Sequence, residues 1–189
     1  MPHRLGILPG SFNPPTVAHL ALLEAARDHV DELLCVLPRT FPHKQYHGAT
    51  LEQRIEMLRV SGLPSECSIA ISEGGLFAEI AEECHTAYAA PLRPLFICGR
   101  DAAERIVAWD YGRDGAIEEM LLRFELLVAS RGGHYDAPAA LQHRIHRLAA
   151  HDDLPAVSST TVRENIASGG EWESLVAEPI VDLVRRIYK

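Results

Sequence analysis

The chain has 189 residues, enough for one well-buried core and short for two ordinary enzyme domains, so we expect a single domain over residues 1–189. Apolar residues make up 47% and charged residues 23%, and no apolar run approaches the ~20 residues that cross a bilayer. The formal net charge of −8 opposes binding to nucleic acid, whose affinity depends on Lys and Arg. We therefore expect neither a membrane nor a nucleic-acid partner, and any phosphate site has to be built locally.

The N-terminus and the cysteines bear on the cellular compartment. Met1 to Leu8 turns directly into a strand-like segment and lacks the charged-then-apolar pattern of a secretion signal, so we expect a cytoplasmic protein. No pair of cysteines forms a CxxC motif, and we expect buried, unreactive thiols at Cys35 and Cys98, which lie in apolar runs.

Short apolar runs alternate with helical patterns along the chain. Five runs read as buried strands: Leu5 to Leu8, Leu33 to Leu37, Ser68 to Ile71, Leu95 to Cys98 and Leu126 to Ala129. Helices are predicted from Leu20 toward Val30 and, by 3.6-residue recurrence, over Leu51 to Leu58 and Leu141 to Leu148. This alternation predicts an α/β fold, a Rossmann-like doubly wound parallel sheet with helices on both faces.

Boundary residues support these helices. Thr50 followed by Gln53 forms a capping box, and Pro138 and Pro179 sit where a first helical turn accepts proline. The irregular stretches Arg39 to Gly48 and Arg131 to Ala137 are candidate substrate-binding loops.

The segment from Leu8 to Leu20, LPGSFNPPTVAHL, follows the first predicted strand and opens a helix. Such a turn presents unpaired backbone N–H groups and the positive end of a helix dipole, which bind anions. Gly10 lets the backbone approach a phosphate, and Thr16 and His19 are spaced to share one face of the helix start. Alone, His19 is more simply read as a satisfied core or surface histidine.

Together these residues resemble the GSFxPxTxxH signature of the nucleotidyltransferase superfamily with a (H/T)xGH box. Thr16 stands where many bacterial members have a first histidine, and Ala18 replaces the usual glycine. The resemblance implies that His19 and Thr16 serve catalysis and that Gly10, Ser11, Phe12 and His19 bind ATP.

A second motif, VSSTTVR at Val157 to Arg163, leads into a C-terminal helical portion of about residues 158–189. Thr161 and Glu164 have capping-box spacing, but capping leaves unexplained an arginine on the first turn, where the dipole disfavours a cation unless an anion is near. The stretch resembles the family's ISSTxxR motif. This resemblance implies that Ser158, Ser159 and Thr160 hold ATP and that Arg163 contacts its β and γ phosphates and serves catalysis.

The middle of the chain resembles pyridine-nucleotide adenylyltransferases in the segment LFICGRD, which ends at Asp101, followed by Trp109. Lys44, in a Pro-His-Lys sequence, resembles the PPHK segment of the bacterial nicotinate mononucleotide enzymes. The resemblance implies an acceptor site at Lys44, Gly99, Asp101 and Trp109, with the indole stacked on the pyridine ring. The alternatives are a solvated lysine, a strand-end glycine and a core tryptophan. The family's Ser-Tyr-Thr segment is absent from Ser72 to Ala90.

His143 and His146, with His151 beyond, invite a metal site, which we reject because arginines interleave and no acidic or cysteine ligand has suitable spacing. A solvated helix face is expected instead. The resemblance as a whole implies transfer of AMP from ATP, with Mg²⁺, to a small phosphorylated acceptor, nicotinate mononucleotide before nicotinamide mononucleotide. Another superfamily adenylyltransferase, such as a pantetheine-phosphate enzyme, and a regulatory module without chemistry stay open, as does a homo-oligomer.

Overall fold

A computed structural model describes residues 1–39, 48–129, 135–148 and 157–188. Within these ranges the strands are β1 (His3–Pro9), β2 (Glu32–Pro38), β3 (Cys67–Ser72), β4 (Leu92–Gly99), β5 (Glu125–Ala129) and β6 (Ile145–Leu148). All neighbouring strands are parallel, and their order in the sheet is β3-β2-β1-β4-β5-β6. The predicted parallel sheet is therefore confirmed.

The α-helices of the described ranges are α1 (Val17–Ala26), α2 (Leu51–Val60), α3 (Phe77–Ala87), α4 (Arg100–Ala108), α5 (Ala116–Met120), α6 (Ser159–Ser168) and α7 (Val181–Ile187). Short 3₁₀ turns lie at Arg27–His29, Ala139–Leu141, Glu173–Leu175 and Glu178–Ile180. None of the described helices is both long and apolar enough to cross a bilayer.

The sheet is buried on both faces, as a doubly wound fold requires. Alternate residues of β2 enter different cores, with Leu34 and Val36 on one face and Leu33, Cys35 and Leu37 on the other. Helices α3 and α4 cover the first face through side chains such as Ile80, whereas α1 and α2 cover the second. Helices on both faces are thus confirmed.

A third core joins the C-terminal portion to α2. Met57 of α2 packs with Val162 of α6, with Val184 of α7 and with Trp172 between those helices. The C-terminal helices therefore extend the domain from the flank of α2, which positions the start of α6.

The prediction of a helix over Leu141 to Leu148 was wrong, because Ile145–Leu148 forms the edge strand β6. Backbone pairing with β5 explains the difference: Ile145 lies in register with Leu126, whose N–H donates to the Arg144 carbonyl (3.0 Å). Pro138 precedes a 3₁₀ turn instead of opening a helix. In contrast, the Thr50 capping box is confirmed, and Pro179 lies in a first 3₁₀ turn as predicted.

The strand assignment also corrects the solvated helix face predicted around His146. Arg144 and His146, two residues apart on one side of β6, both bond the buried Glu125 carboxylate, which Arg93 of β4 also contacts (2.6 Å). Burial alone would raise the pKa of Glu125, but hydrogen bonds from Arg93 and His146 outweigh it and lower the pKa. This cluster fixes the amino ends of β4, β5 and β6. His143 is exposed, and residue 151 lies outside the described ranges.

The structure brings together two cysteines that are far apart in sequence. Cys35 Sγ lies 3.7 Å from Cys67 Sγ across the β2–β3 pair, and both are free. The hydrogen bond with Cys67, together with burial, raises the pKa of Cys35, and burial raises the pKa of Cys98 to about 12. Cys35 and Cys98 are therefore neutral thiols at pH 7, as expected for buried cysteines.

Candidate active site

The switch point of the sheet lies between β1 and β4. These strands are neighbours, but the chain passes from β1 to β2 on one side and from β4 to β5 on the other. In open α/β sheets, ligands bind in the crevice at the carboxyl ends of such strands. Ile7 is in register with Phe96, and three more residues along both strands bring Gly10 level with Gly99. The first motif and the Gly99 segment therefore meet at this crevice.

His19 caps the start of α1 with its side chain. The backbone N–H of Thr16 donates to Nδ1 of His19 (2.9 Å), and the Thr16 hydroxyl lies 2.8 Å from the same nitrogen. An Nδ1 that accepts a backbone N–H is unprotonated, so the neutral ring carries its proton on Nε2. Thr16 is fully buried, and its hydroxyl helps to orient the imidazole of His19.

Phe12 fixes the loop between β1 and α1. It is fully buried, its backbone is left-handed (φ 46°), and its ring centroid lies 5.0 Å from that of His19. A Cβ on Gly10 would lie 3.2 Å from this buried ring, so packing favours glycine there. The Gly10 N–H donates to the Val36 carbonyl (3.0 Å), which removes it from the predicted phosphate donors.

The second motif meets the first across 145 to 150 residues of sequence. The Ser159 hydroxyl donates to the Pro14 carbonyl (2.7 Å), and Nη1 of Arg163 donates to the Asn13 carbonyl (2.6 Å). Nη2 of Arg163 also contacts the hydroxyl of the exposed Thr160 (3.3 Å). The two predicted ATP-binding motifs therefore form one surface.

The start of α6 corrects two details of the prediction. The Ser158 hydroxyl accepts the Thr161 N–H (3.1 Å), so Ser158 is the N-cap and the predicted Thr161 to Glu164 capping box is wrong. Serine caps a helix at least as well as threonine, and this start puts Ser159 within reach of Pro14. Arg163 consequently lies on the second helical turn.

Positive potential is concentrated here although the whole chain is acidic. The N-termini of α1 and α6 both adjoin the Asn13–Thr16 turn, so two helix dipoles reinforce the Arg163 guanidinium. Arg54, only 4% exposed, donates from Nη1 to the Ser11 carbonyl (3.0 Å). The sequence interpretation missed Arg54, although it falls within the apolar stripe of α2, where a charged residue calls for a buried partner.

The predicted acceptor residues lie around α4. Gly99, its N-cap, has an ordinary φ of −81°, and a Cβ added there would meet no described atom within 4 Å. None of the described residues therefore requires glycine here, and they leave the space above it open. Asp101 is exposed on the first turn, and Trp109 at the far end is 61% exposed, which excludes a core tryptophan. Residue Lys44 lies outside the described ranges.

The segment that lacks the Ser-Tyr-Thr sequence satisfies its own backbone donors. The N–H groups of residues 73 and 74 donate to the Glu83 carboxylate (3.1 and 3.3 Å), and those of residues 75 and 76 donate to the Glu79 carboxylate (2.9 and 3.0 Å). The start of α3 therefore has two carboxylates of the chain itself against its amide groups.

The chain is similar in sequence and in fold to known proteins. The family model "Cytidylyltransferase-like" matches residues 7–165. The "probable nicotinate-nucleotide adenylyltransferase" of Bordetella pertussis is 31% identical over 192 residues, covering 94% of this chain and 92% of that protein. Its namesake from Gloeobacter violaceus is 28% identical over 204 residues, covering 98% and 95%.

Among solved structures, nicotinic acid mononucleotide adenylyltransferase of Plasmodium falciparum, complexed with NaAD, superposes with a TM-score of 0.71 at 16% identity. The match covers 97% of this chain and 95% of that one. A putative nicotinate-nucleotide adenylyltransferase from Vibrio parahaemolyticus gives 0.61 at 15% identity, covering 97% and 93%. At these identities the likeness extends to the fold alone.

The fold, the paired motifs at the switch point and the relatives together define a nucleotidyltransferase. The chain belongs to the cytidylyltransferase-like family.

Proposed function

We propose that the protein transfers AMP from ATP to a pyridine mononucleotide, with nicotinate mononucleotide preferred to nicotinamide mononucleotide, and releases pyrophosphate in NAD biosynthesis. One observation carries the proposal: the His19 loop and the Arg163 helix are hydrogen-bonded to each other at the carboxyl end of β1. The preference for nicotinate has its support in the names of the relatives.

The reaction needs no protein nucleophile. An oxygen of the acceptor's 5′-phosphate forms a bond to the α-phosphorus of ATP, and the bond from that phosphorus to the bridging β-oxygen breaks in line. The electron pair of that bond leaves with pyrophosphate. Because the attacking phosphate is already ionised at pH 7, catalysis rests on positioning the reactants and neutralising the charge that develops.

His19 supplies a neutral donor for this charge. With Nδ1 held by the Thr16 N–H, its Nε2–H can donate to a phosphate oxygen, and that bond strengthens as charge builds in the transition state. Thr16 is a positioning residue for this ring, since it is buried and contacts Nδ1.

Arg163 and the adjoining helix start serve the triphosphate. The Asn13 carbonyl and the Thr160 hydroxyl orient its guanidinium, whose planar fork suits two phosphate oxygens. Ser159 joins the same surface to Pro14. We assign the β and γ phosphates to Arg163 and the N-terminal end of α6.

Magnesium belongs to the substrate in this proposal. Mg²⁺ commonly keeps several waters and is held largely by substrate phosphates. Among the described residues, no group of three His, Cys, Asp or Glu side chains could hold a metal ion. We propose that the nucleotide is used as MgATP, in which the ion would neutralise charge on the leaving pyrophosphate.

The acceptor is assigned to the α4 side of the crevice. Open space above Gly99 suits a ligand that approaches the strand end, and the exposed indole of Trp109 suits stacking on an aromatic ring. Asp101 on the first turn of α4 is assigned to the same ligand. Lys44 is proposed to bind the acceptor's phosphate as a point charge.

The test is pyrophosphate release from MgATP with each of three acceptors: nicotinate mononucleotide, nicotinamide mononucleotide and phosphopantetheine. We expect release with both pyridine mononucleotides and a higher kcat/KM for the nicotinate form. Pyrophosphate release with phosphopantetheine alone would instead indicate a pantetheine-phosphate adenylyltransferase. ATP binding without release from any acceptor would support a regulatory module.

A further inference from the structure

The side chain of Asn13 joins segments from across the chain. It is 4% exposed, and its Oδ1 accepts a hydrogen bond from the Tyr188 hydroxyl (2.5 Å) and one from the Ala49 N–H (3.2 Å). Its backbone carbonyl accepts the Arg163 guanidinium (2.6 Å). Because both partners of Oδ1 are donors, they fix which way the amide is turned.

The packing around this amide is close. Gly48 adopts φ 107°, a left-handed conformation that favours glycine, and a Cβ there would lie 3.0 Å from Cε1 of Tyr188 and 3.1 Å from Oδ1 of Asn13. The Gly48–Ala49 segment, at the end of the loop that follows β2, is therefore held against the same asparagine.

Tyr188 reaches this point from the C-terminal end of α7. Its N–H donates to the Val184 carbonyl (3.0 Å), and its ring packs against the third core. Burial raises the pKa of Tyr188, so its hydroxyl stays protonated and donates at neutral pH. The Tyr188 hydroxyl is therefore available as a donor to Asn13 near pH 7.

We propose that Tyr188 is a positioning residue for nucleotide transfer. It acts through Asn13: the tyrosine hydroxyl fixes the asparagine, whose carbonyl orients Arg163 and whose turn leads into Thr16 and His19. The C-terminal helix thereby sets the distance between the two ATP-binding motifs. The catalytic part of this inference rests on the proposed function, whereas its effect on ATP binding does not require an acceptor.

The test compares Tyr188→Phe with Tyr88→Phe, a matched control. Each substitution removes one hydroxyl and keeps the ring, but Tyr88 donates to Glu32 (2.8 Å) at the amino end of β2, away from the crevice. For both variants we would measure the melting temperature, the Kd of MgATP by calorimetry, and kcat with KM for the acceptor.

We expect both variants to melt within about 4 °C of the wild type, as the loss of one hydrogen bond predicts for a chain of this length. Only Tyr188→Phe should bind MgATP about five- to tenfold more weakly and lose turnover, with the acceptor KM unchanged. Wild-type ATP affinity and turnover in Tyr188→Phe would overturn the proposal, as would equal losses in both variants. If the wild type binds MgATP but uses no acceptor, the proposed function fails, and the ATP Kd values still decide the role of Tyr188.

Discussion

Replacing His19 by glutamine and, separately, by alanine distinguishes the two nitrogens of its ring. The glutamine amide oxygen can accept the Thr16 N–H, as Gln53 accepts that of Thr50 (2.8 Å), but it then offers no donor in place of the Nε2–H of His19. Alanine removes that donor as well and leaves the Thr16 N–H without its partner. The two variants therefore separate helix capping from chemistry.

The structure sets the expected magnitudes. Loss of a donor to the developing charge costs about 100- to 1000-fold in kcat, or ~2.7–4 kcal/mol. Loss of the bond between Thr16 N–H and Nδ1 (2.9 Å) resembles removal of an N-cap, ~1 kcal/mol, which lowers Tm by about 2–4 °C in a chain of this size. His19→Gln should lose turnover and keep Tm, whereas His19→Ala should lose turnover and also melt earlier.

The assay is steady-state pyrophosphate release with saturating MgATP and acceptor, beside thermal unfolding of the same samples. Full turnover in His19→Gln would contradict the role of Nε2–H. A Tm of His19→Ala equal to that of the wild type would contradict the assignment of Nδ1 as the capping atom.

Three further substitutions test the acceptor site and the ion-pair cluster at the amino end of β5. Gly99→Ala should change the stability of the fold by less than ~1 kcal/mol, because the gain from a stiffer unfolded chain opposes the poorer N-cap that alanine makes, yet it should raise the acceptor KM about tenfold or more by filling space that the described residues leave open. Trp109→Ala should raise the acceptor KM about tenfold with the ATP KM and Tm nearly unchanged, since the indole is 61% exposed. Glu125→Ala should cost ~1–2 kcal/mol of stability at pH 7 through the lost hydrogen bond to Arg93, a cost limited because the Arg93 side chain is 41% exposed and stays hydrated. Because the folded pKa of Glu125 is lowered from 4.5, its stabilising effect is complete above that pH and is lost as pH falls through the folded value.

These substitutions are checked by kinetics with each substrate varied in turn and by unfolding between pH 3 and pH 7. An unchanged acceptor KM in Gly99→Ala would exclude the space above β4 as part of the acceptor site. Equal rises in both KM values for Trp109→Ala would contradict stacking on the pyridine ring. A Tm difference between Glu125→Ala and wild type that persists undiminished at pH 3 would contradict the ionic role of Glu125.

The fold was predictable where its signal is local. Buried parallel strands are continuous apolar runs, so Leu5 to Leu8 and Leu33 to Leu37 indicated β1 and β2 within a few residues. Strand β6 was not predicted because its short sequence includes the polar residues His146 and Arg147. Its pairing also depends on β5 and on Glu125, which is 21 residues away from His146 in sequence. Leu141, Ile145 and Leu148 are apolar residues four and three positions apart, a spacing that also fits one face of a helix when no partner strand is known.

In the candidate active site, too, contacts between residues close in sequence were predictable and contacts between distant residues were not. Thr16 and His19 are three residues apart, so their contact could be read from spacing, as could the Thr50 capping box. The contacts of Arg54 with Ser11 and of Tyr188 with Asn13 span 43 and 175 residues. Such partners follow from tertiary packing, and spacing along the chain carries no signal for them.

The most direct test of AMP transfer follows the phosphorus atoms of ATP. The protein would be incubated with Mg²⁺, nicotinate mononucleotide and ATP labelled in one sample at the α-phosphate and in another at the γ-phosphate. We predict that the α label appears in a dinucleotide and the γ label in pyrophosphate, in equal amounts. Recovery of the γ label as orthophosphate, or of the α label only in ATP, ADP or free AMP, would contradict the proposed transfer.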